Sequence, residues 1–79
     1  MEITLKMFAS LRDLLPEGSR GNSCEMDIEE GTVIGPLLDS LDVPKDMKLI
    51  ILLNGVHADK ETELSEGDTL SVFPPVAGG

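Results

Sequence analysis

Apolar and polar residues alternate at the start of the chain, with Ile3, Leu5 and Met7 set against Glu2, Thr4 and Lys6. A period of two is that of a half-buried strand, here predicted over residues 2–8 with Phe8 out of phase with the inward set. Leu11, Leu14 and Leu15 then recur at helical spacing. They predict a short helix over residues 9–15, with Ser10 as its cap and Pro16 as its stop. Gly18 and Gly21 mark residues 17–23 as a loop. Alternation returns over residues 23–29, where Cys24, Met26 and Ile28 share one face of a second strand. Thr32 is the expected N-cap of the main helix, whose apolar stripe is Val33, Ile34, Leu37, Leu38 and Leu41. Pro36 fits only its first turn, where a backbone N–H has no intrahelical partner. Residues 49–53 are apolar on both faces and read as a central strand, or as one whose outer face is also covered. Asn54-Gly55 predicts a tight turn into a short return strand over 56–58, and residues 69–73 form the last strand with Leu70 and Val72 inward.

The order is strand, short helix, strand, helix, strand, short strand, strand. One amphipathic helix needs one sheet face to bury it. The predicted fold is therefore α+β: a mixed sheet of four to five strands packed on one main helix, the β-grasp or ubiquitin-like arrangement. Residues 1–73 form that domain and 74–79 a C-terminal tail ending in Gly-Gly.

Composition narrows the function. Seventy-nine residues make one small domain, with too little volume for a deep substrate pocket of its own. Fifteen acidic residues against six basic give a formal charge of -9, the wrong sign for nucleic acid or an anionic membrane surface. It points instead to partners with basic surfaces. The single Cys24 has no partner for an internal disulfide, and no signal-like or membrane-spanning stretch is present, so a cytoplasmic protein is expected. Its alternation with Met26 and Ile28 reads Cys24 as a buried structural thiol. His57 lacks a second His or Cys for zinc. Glu29-Glu30 and Glu61/Glu63 read as solvated charge in turns. No metal site, phosphate loop or side-chain catalytic constellation emerges.

The C-terminus stands apart. Pro74 and Pro75 stiffen the exit from the last strand, and the sequence ends on Gly78-Gly79. Fully extended, residues 74–79 span on the order of 20 Å. Glycines without Cβ atoms pass a constriction that excludes other residues. The tail reads as an arm carrying its own α-carboxylate into another protein's active site. A carboxylate is a poor acyl donor, because its charge repels nucleophiles; transfer to AMP turns it into a reactive mixed anhydride.

The stretch from Gly67 to Gly79, above all Phe73-Pro74-Pro75-Val76-Ala77-Gly78-Gly79, closely resembles the MoaD/ThiS family of sulfur carriers and its MoaD branch in particular. Phe8-Ala9-Ser10-Leu11-Arg12-Asp13-Leu14 resembles the same branch after its first strand. The resemblance implies a carrier without catalytic side chains or a stably bound cofactor. A ubiquitin-activating-type adenylyltransferase (MoeB/ThiF-like) would use ATP to adenylate Gly79, and a sulfur donor protein would convert the adenylate to a thiocarboxylate. The tail would then enter the large, MoaE-like subunit of molybdopterin synthase and deliver the sulfur. Gly79 carries the chemistry, Gly78 gives clearance, and Pro74, Pro75, Val76 and Ala77 occupy the channel. The alternatives are sulfur transfer to thiamine thiazole, cysteine, tRNA or a tungsten cofactor, a lysine-linked protein modifier, and an adaptor with an idle tail.

Strand phase adds one expectation. Phe8 and Phe73 both fall opposite the inward sets of their strands, and those strands are parallel neighbours in a β-grasp sheet. Both rings should meet at one end, beside Ile50 and Leu52, as an exposed apolar patch at the tail root that docks partner enzymes. The competing expectation is that the helix over 9–15 folds across that patch and covers part of it.

Overall fold

The computed structural model describes residues 1–75; the positions of the tail from Val76 to Gly79 lie outside the described residues. The elements are β1 (Glu2–Met7), a 3-10 helix (Ala9–Leu14), β2 (Ser23–Asp27), α1 (Ile34–Ser40), β3 (Ile50–Leu53), β4 (Val56–His57) and β5 (Thr69–Phe73). The strands form one sheet in the order β2-β1-β5-β3-β4. β1 and β5 are parallel at its centre, and the remaining pairs are antiparallel. With α1 on one face, this is the expected β-grasp.

The inward sets follow the alternation in the sequence. Ile3, Leu5 and Met7 from β1, Ile51 from β3 and Leu70 and Val72 from β5 are buried with Ile34, Leu37 and Leu38 of α1. Leu11, Val43 and Leu64 close the margins of that core. Cys24 is buried as expected, while Met26 and Ile28 pack against the core only partly.

Three local expectations are corrected. The segment after β1 is a 3-10 helix and not an α-helix, and Ser10 does not cap it: the cap position is Phe8, with no side-chain bond. Ala9 enters it in the left-handed region at φ 54°. Thr32 does not cap α1; its hydroxyl donates to the carbonyl of Glu29 at 2.6 Å, and the cap position is Val33. The first helical N–H groups are met by backbone instead. Ile34 donates to the carbonyl of Thr62 at 3.0 Å and Gly35 to that of Lys60 at 2.8 Å. A loop carbonyl that takes the place of a cap side chain must come close, which is why a glycine sits here. A Cβ at position 35 would lie 3.1 Å from the Lys60 oxygen. Pro36 in the same turn lacks only an N–H the helix does not use. Residues 49–53 supply an interior strand, with β5 on one side and β4 on the other, while β5 holds the middle of the sheet. β3 is flanked by a return strand of two residues that pairs with Leu52 and Leu53, leaving Ile50 uncovered on that side.

At the far end of α1, Asp42 and Val43 donate back to Asp39 and Leu38, the paired bonds of a Schellman ending. Asp42 takes the left-handed conformation there, at φ 67°.

Candidate docking groove at the tail root

The parallel pairing aligns Met7 with Val72, so the next residues of each strand, Phe8 and Phe73, emerge side by side. Phe8 keeps extended backbone angles, and its N–H donates to the carbonyl of Val72 at 3.3 Å, extending the ladder by one step. The two rings stack nearly parallel, with centroids 4.4 Å apart and an interplanar angle of 5°. The antiparallel pairing of β3 with β5 sets Ile50 opposite Phe73. Both rings are half-buried, whereas Ile50 is 42% exposed. A single exposed apolar side chain is ordinary, and Val56 is more exposed still; what marks this end is that Ile50 sits beside two stacked rings.

These residues line a groove of about 520 Å³ with Ala9, Ser10, Pro74 and Pro75. The tail therefore leaves the domain along the wall of an apolar groove. Of the four residues predicted for this patch, the structure brings Phe8, Phe73 and Ile50 together. Leu52 is not among the groove's lining residues: it is half-buried farther along β3, opposite Ser71 and His57. The 3-10 helix borders the two half-buried rings and lines the groove with Ala9 and Ser10. It sends Leu11 into the core and leaves Ala9 and Ser10 exposed along the rim. Those two positions were not predicted as lining. Ala9 opens the 3-10 helix in a left-handed conformation that leaves no mark in the sequence, and the two residues line the groove from there. Pro74 is half-buried and Pro75 exposed; the other predicted tail residues, Val76, Ala77, Gly78 and Gly79, lie outside the described residues.

Charge is arranged around this groove in a particular way. Glu2, Asp27, Glu66 and Asp68 sit where β1 and β5 begin and β2 ends, the pole opposite the groove, and Glu29 and Glu30 follow directly from β2. Asp68 ties that pole together. Its carboxylate accepts from the Asn54 amide at 2.9 Å and from the Ser65 N–H at 2.7 Å. Among the described residues the ion pair within 4 Å is Met1 amine to Asp27, at 3.3 Å. His57, Glu29, Glu30, Glu61 and Glu63 are exposed, and no group of three metal-ligating side chains gathers among the described residues. No helix among the described residues is long and apolar enough to cross a membrane.

Similarity to known proteins runs through the whole chain. A model of the ThiS family matches residues 5–79. Small archaeal modifier protein 3 of Haloferax volcanii is 34% identical over 96 aligned positions, with all of both chains covered. The crystal structure of SAMP1 from Haloferax volcanii superposes with a TM-score of 0.74 at 25% identity, again over the whole of both chains. A putative molybdopterin converting factor, subunit 1, from Pyrococcus furiosus gives a TM-score of 0.70 at 26% identity, over 95% of this chain and 98% of that one.

Proposed function

The chain belongs to the ThiS family of ubiquitin-like sulfur carriers and modifiers, and from that membership we propose that it is a sulfur carrier whose reacting group is the α-carboxylate of Gly79. The observation that carries the reading is the place of the apolar groove. Phe8, Ile50 and Phe73 meet at the point where Pro74 and Pro75 leave β5. A partner that docks on this surface receives the tail directly beside its contact area, which converts docking energy into positioning of the terminal carboxylate.

The chemistry balances without any side chain of this domain. A carboxylate oxygen of Gly79 attacks the α-phosphorus of ATP in a ThiF-like or MoeB-like adenylyltransferase, and pyrophosphate leaves. The outer sulfur of a donor protein's persulfide attacks the acyl carbon, and AMP leaves. A second thiol then cleaves the S–S bond, releasing the thiocarboxylate and leaving a disulfide on the donor. The thiocarboxylate passes its sulfur to an acceptor, for which the MoaD-like ending supports the large, MoaE-like subunit of molybdopterin synthase. The Pyrococcus furiosus neighbour supports the same branch.

A second reading shares the activation step. In a protein modifier the lysine ε-amine of a target attacks the activated acyl carbon and forms an isopeptide. The Haloferax modifier protein, matched over its whole length, favours that reading. The activation step common to both is tested by ATP–pyrophosphate exchange with the adenylyltransferase. Exchange should depend on this chain and vanish when Gly79 is removed. Exchange that persists undiminished without Gly79 would overturn the proposal.

A further inference from the structure

β2 is an open edge of the sheet, and the register shows which of its groups are free. Ile28 donates to the carbonyl of Met1 and Met7 to that of Asn22, so the doubly bonded pairs of this antiparallel ladder are Met1 with Ile28, Ile3 with Met26, Leu5 with Cys24, and Met7 with Asn22. The N–H and C=O groups of Ser23, Glu25 and Asp27 therefore point away from β1. Those of Ser23 are taken: Arg20 and Ser23 exchange two bonds, at 2.8 and 2.9 Å. The chain thus begins a sixth strand alongside β2 and stays in it for one residue. Gly18, at φ 89°, and the Ser19 hydroxyl bonded to the Pro16 carbonyl turn it away. A concavity of about 220 Å³, lined by Gly18, Arg20, Ser23, Cys24 and Glu25, lies at that departure. Beyond it the Glu25 and Asp27 backbone groups have no backbone partner among the described residues; the Glu25 carbonyl receives only a 3.5 Å contact from the Cys24 thiol.

We propose that this edge receives an extended, basic segment of a partner protein, which continues the strand that Arg20 begins. The occupant follows from charge. Glu25 and Asp27 are exposed on the outer face, opposite Thr4 and Glu2. An added strand with Lys or Arg on that face makes favourable cross-strand pairs. Its alternate apolar residues cover Met26 and Ile28, which are half-buried on the other face. A second copy of this chain is the wrong occupant, because edge-to-edge pairing would set acid against acid. Backbone hydrogen bonds supply the affinity and the charge pattern selects the segment. This surface is separate from the groove at the tail root.

The test is an NMR titration of the full chain with a short peptide alternating Lys and Val, its length matched to the edge. Shifts and slowed amide exchange should centre on Glu25 and Asp27. Replacing both by lysine, Glu25→Lys with Asp27→Lys, should weaken binding about tenfold or more, as expected for losing two cross-strand charge pairs and gaining repulsion. The same peptide with alternate backbone nitrogens methylated keeps its charge and needs no protein variant, and it should bind as weakly. Equal binding by the methylated peptide, or shifts spread evenly over all the acidic residues, would show charge attraction alone and overturn the proposal. Dimerisation of the free chain through β2 would overturn it as well.

Discussion

At single residues the backbone demands more than the side chains display. Gly35 carries no functional group, yet the start of α1 depends on its missing Cβ, because the Lys60 carbonyl that accepts its N–H would stand 3.1 Å from a methyl group. Alanine brings a better helix propensity, worth up to about 1 kcal/mol in a helix interior. In a first turn that gain is small, and displacing a bonded carbonyl outweighs it. Gly35→Ala should lower stability by about 1 kcal/mol, a fall of several degrees in Tm on thermal unfolding. Asp42 is the opposite case. It holds a left-handed C′ position that glycine takes without strain. Relief of that strain should outweigh the freedom glycine adds to the unfolded chain, so Asp42→Gly should stabilise the fold by about 0.5–1 kcal/mol in the same assay.

At the scale of elements, strand phase was the legible part of the site. The alternation of β1 and β5 assigned Phe8 and Phe73 to one side, and the parallel pairing placed them in contact. Removing each ring alone and both together should give a coupling energy of about 0.5–1.5 kcal/mol for the stacked pair. Phe73→Asp should weaken binding to the adenylyltransferase while the unfolding transition stays cooperative; unchanged affinity would remove the groove from the account. What the sequence hid has physical reasons. The helical spacing of Leu11, Leu14 and Leu15 is shared by α and 3-10 geometry, and a left-handed alanine leaves no mark in a sequence. Thr32 and Ser10 have the chemistry of caps. A helix start met by loop carbonyls depends on a contact between residues 34–35 and 60–62 that local pattern does not encode. Leu52 follows Ile50 in the same phase, but β4 pairs beside Leu52 and stops short of Ile50.

Across the molecule, part of the acidic charge behind the net -9 is concentrated at one end. Glu2, Asp27, Glu66 and Asp68 gather at the pole away from the tail root, whereas the groove is lined by apolar side chains and one serine. The expectation of basic partner surfaces therefore attaches to that pole and to the β2 edge, and the groove calls for an apolar counterpart. Crowded like charges with one ion pair among the described residues destabilise the folded state at low ionic strength. Raising NaCl from low ionic strength should lift Tm by a few degrees, whereas a fold held by surface ion pairs would lose stability. The central claim concerns the atom at the end of the chain. The most direct measurement is the intact mass of the protein after incubation with ATP, its adenylyltransferase and a persulfide donor. The account predicts a single product in which sulfur has replaced one terminal oxygen, absent when Gly79 is deleted; an unchanged mass under conditions where the same enzyme activates a known carrier would contradict it.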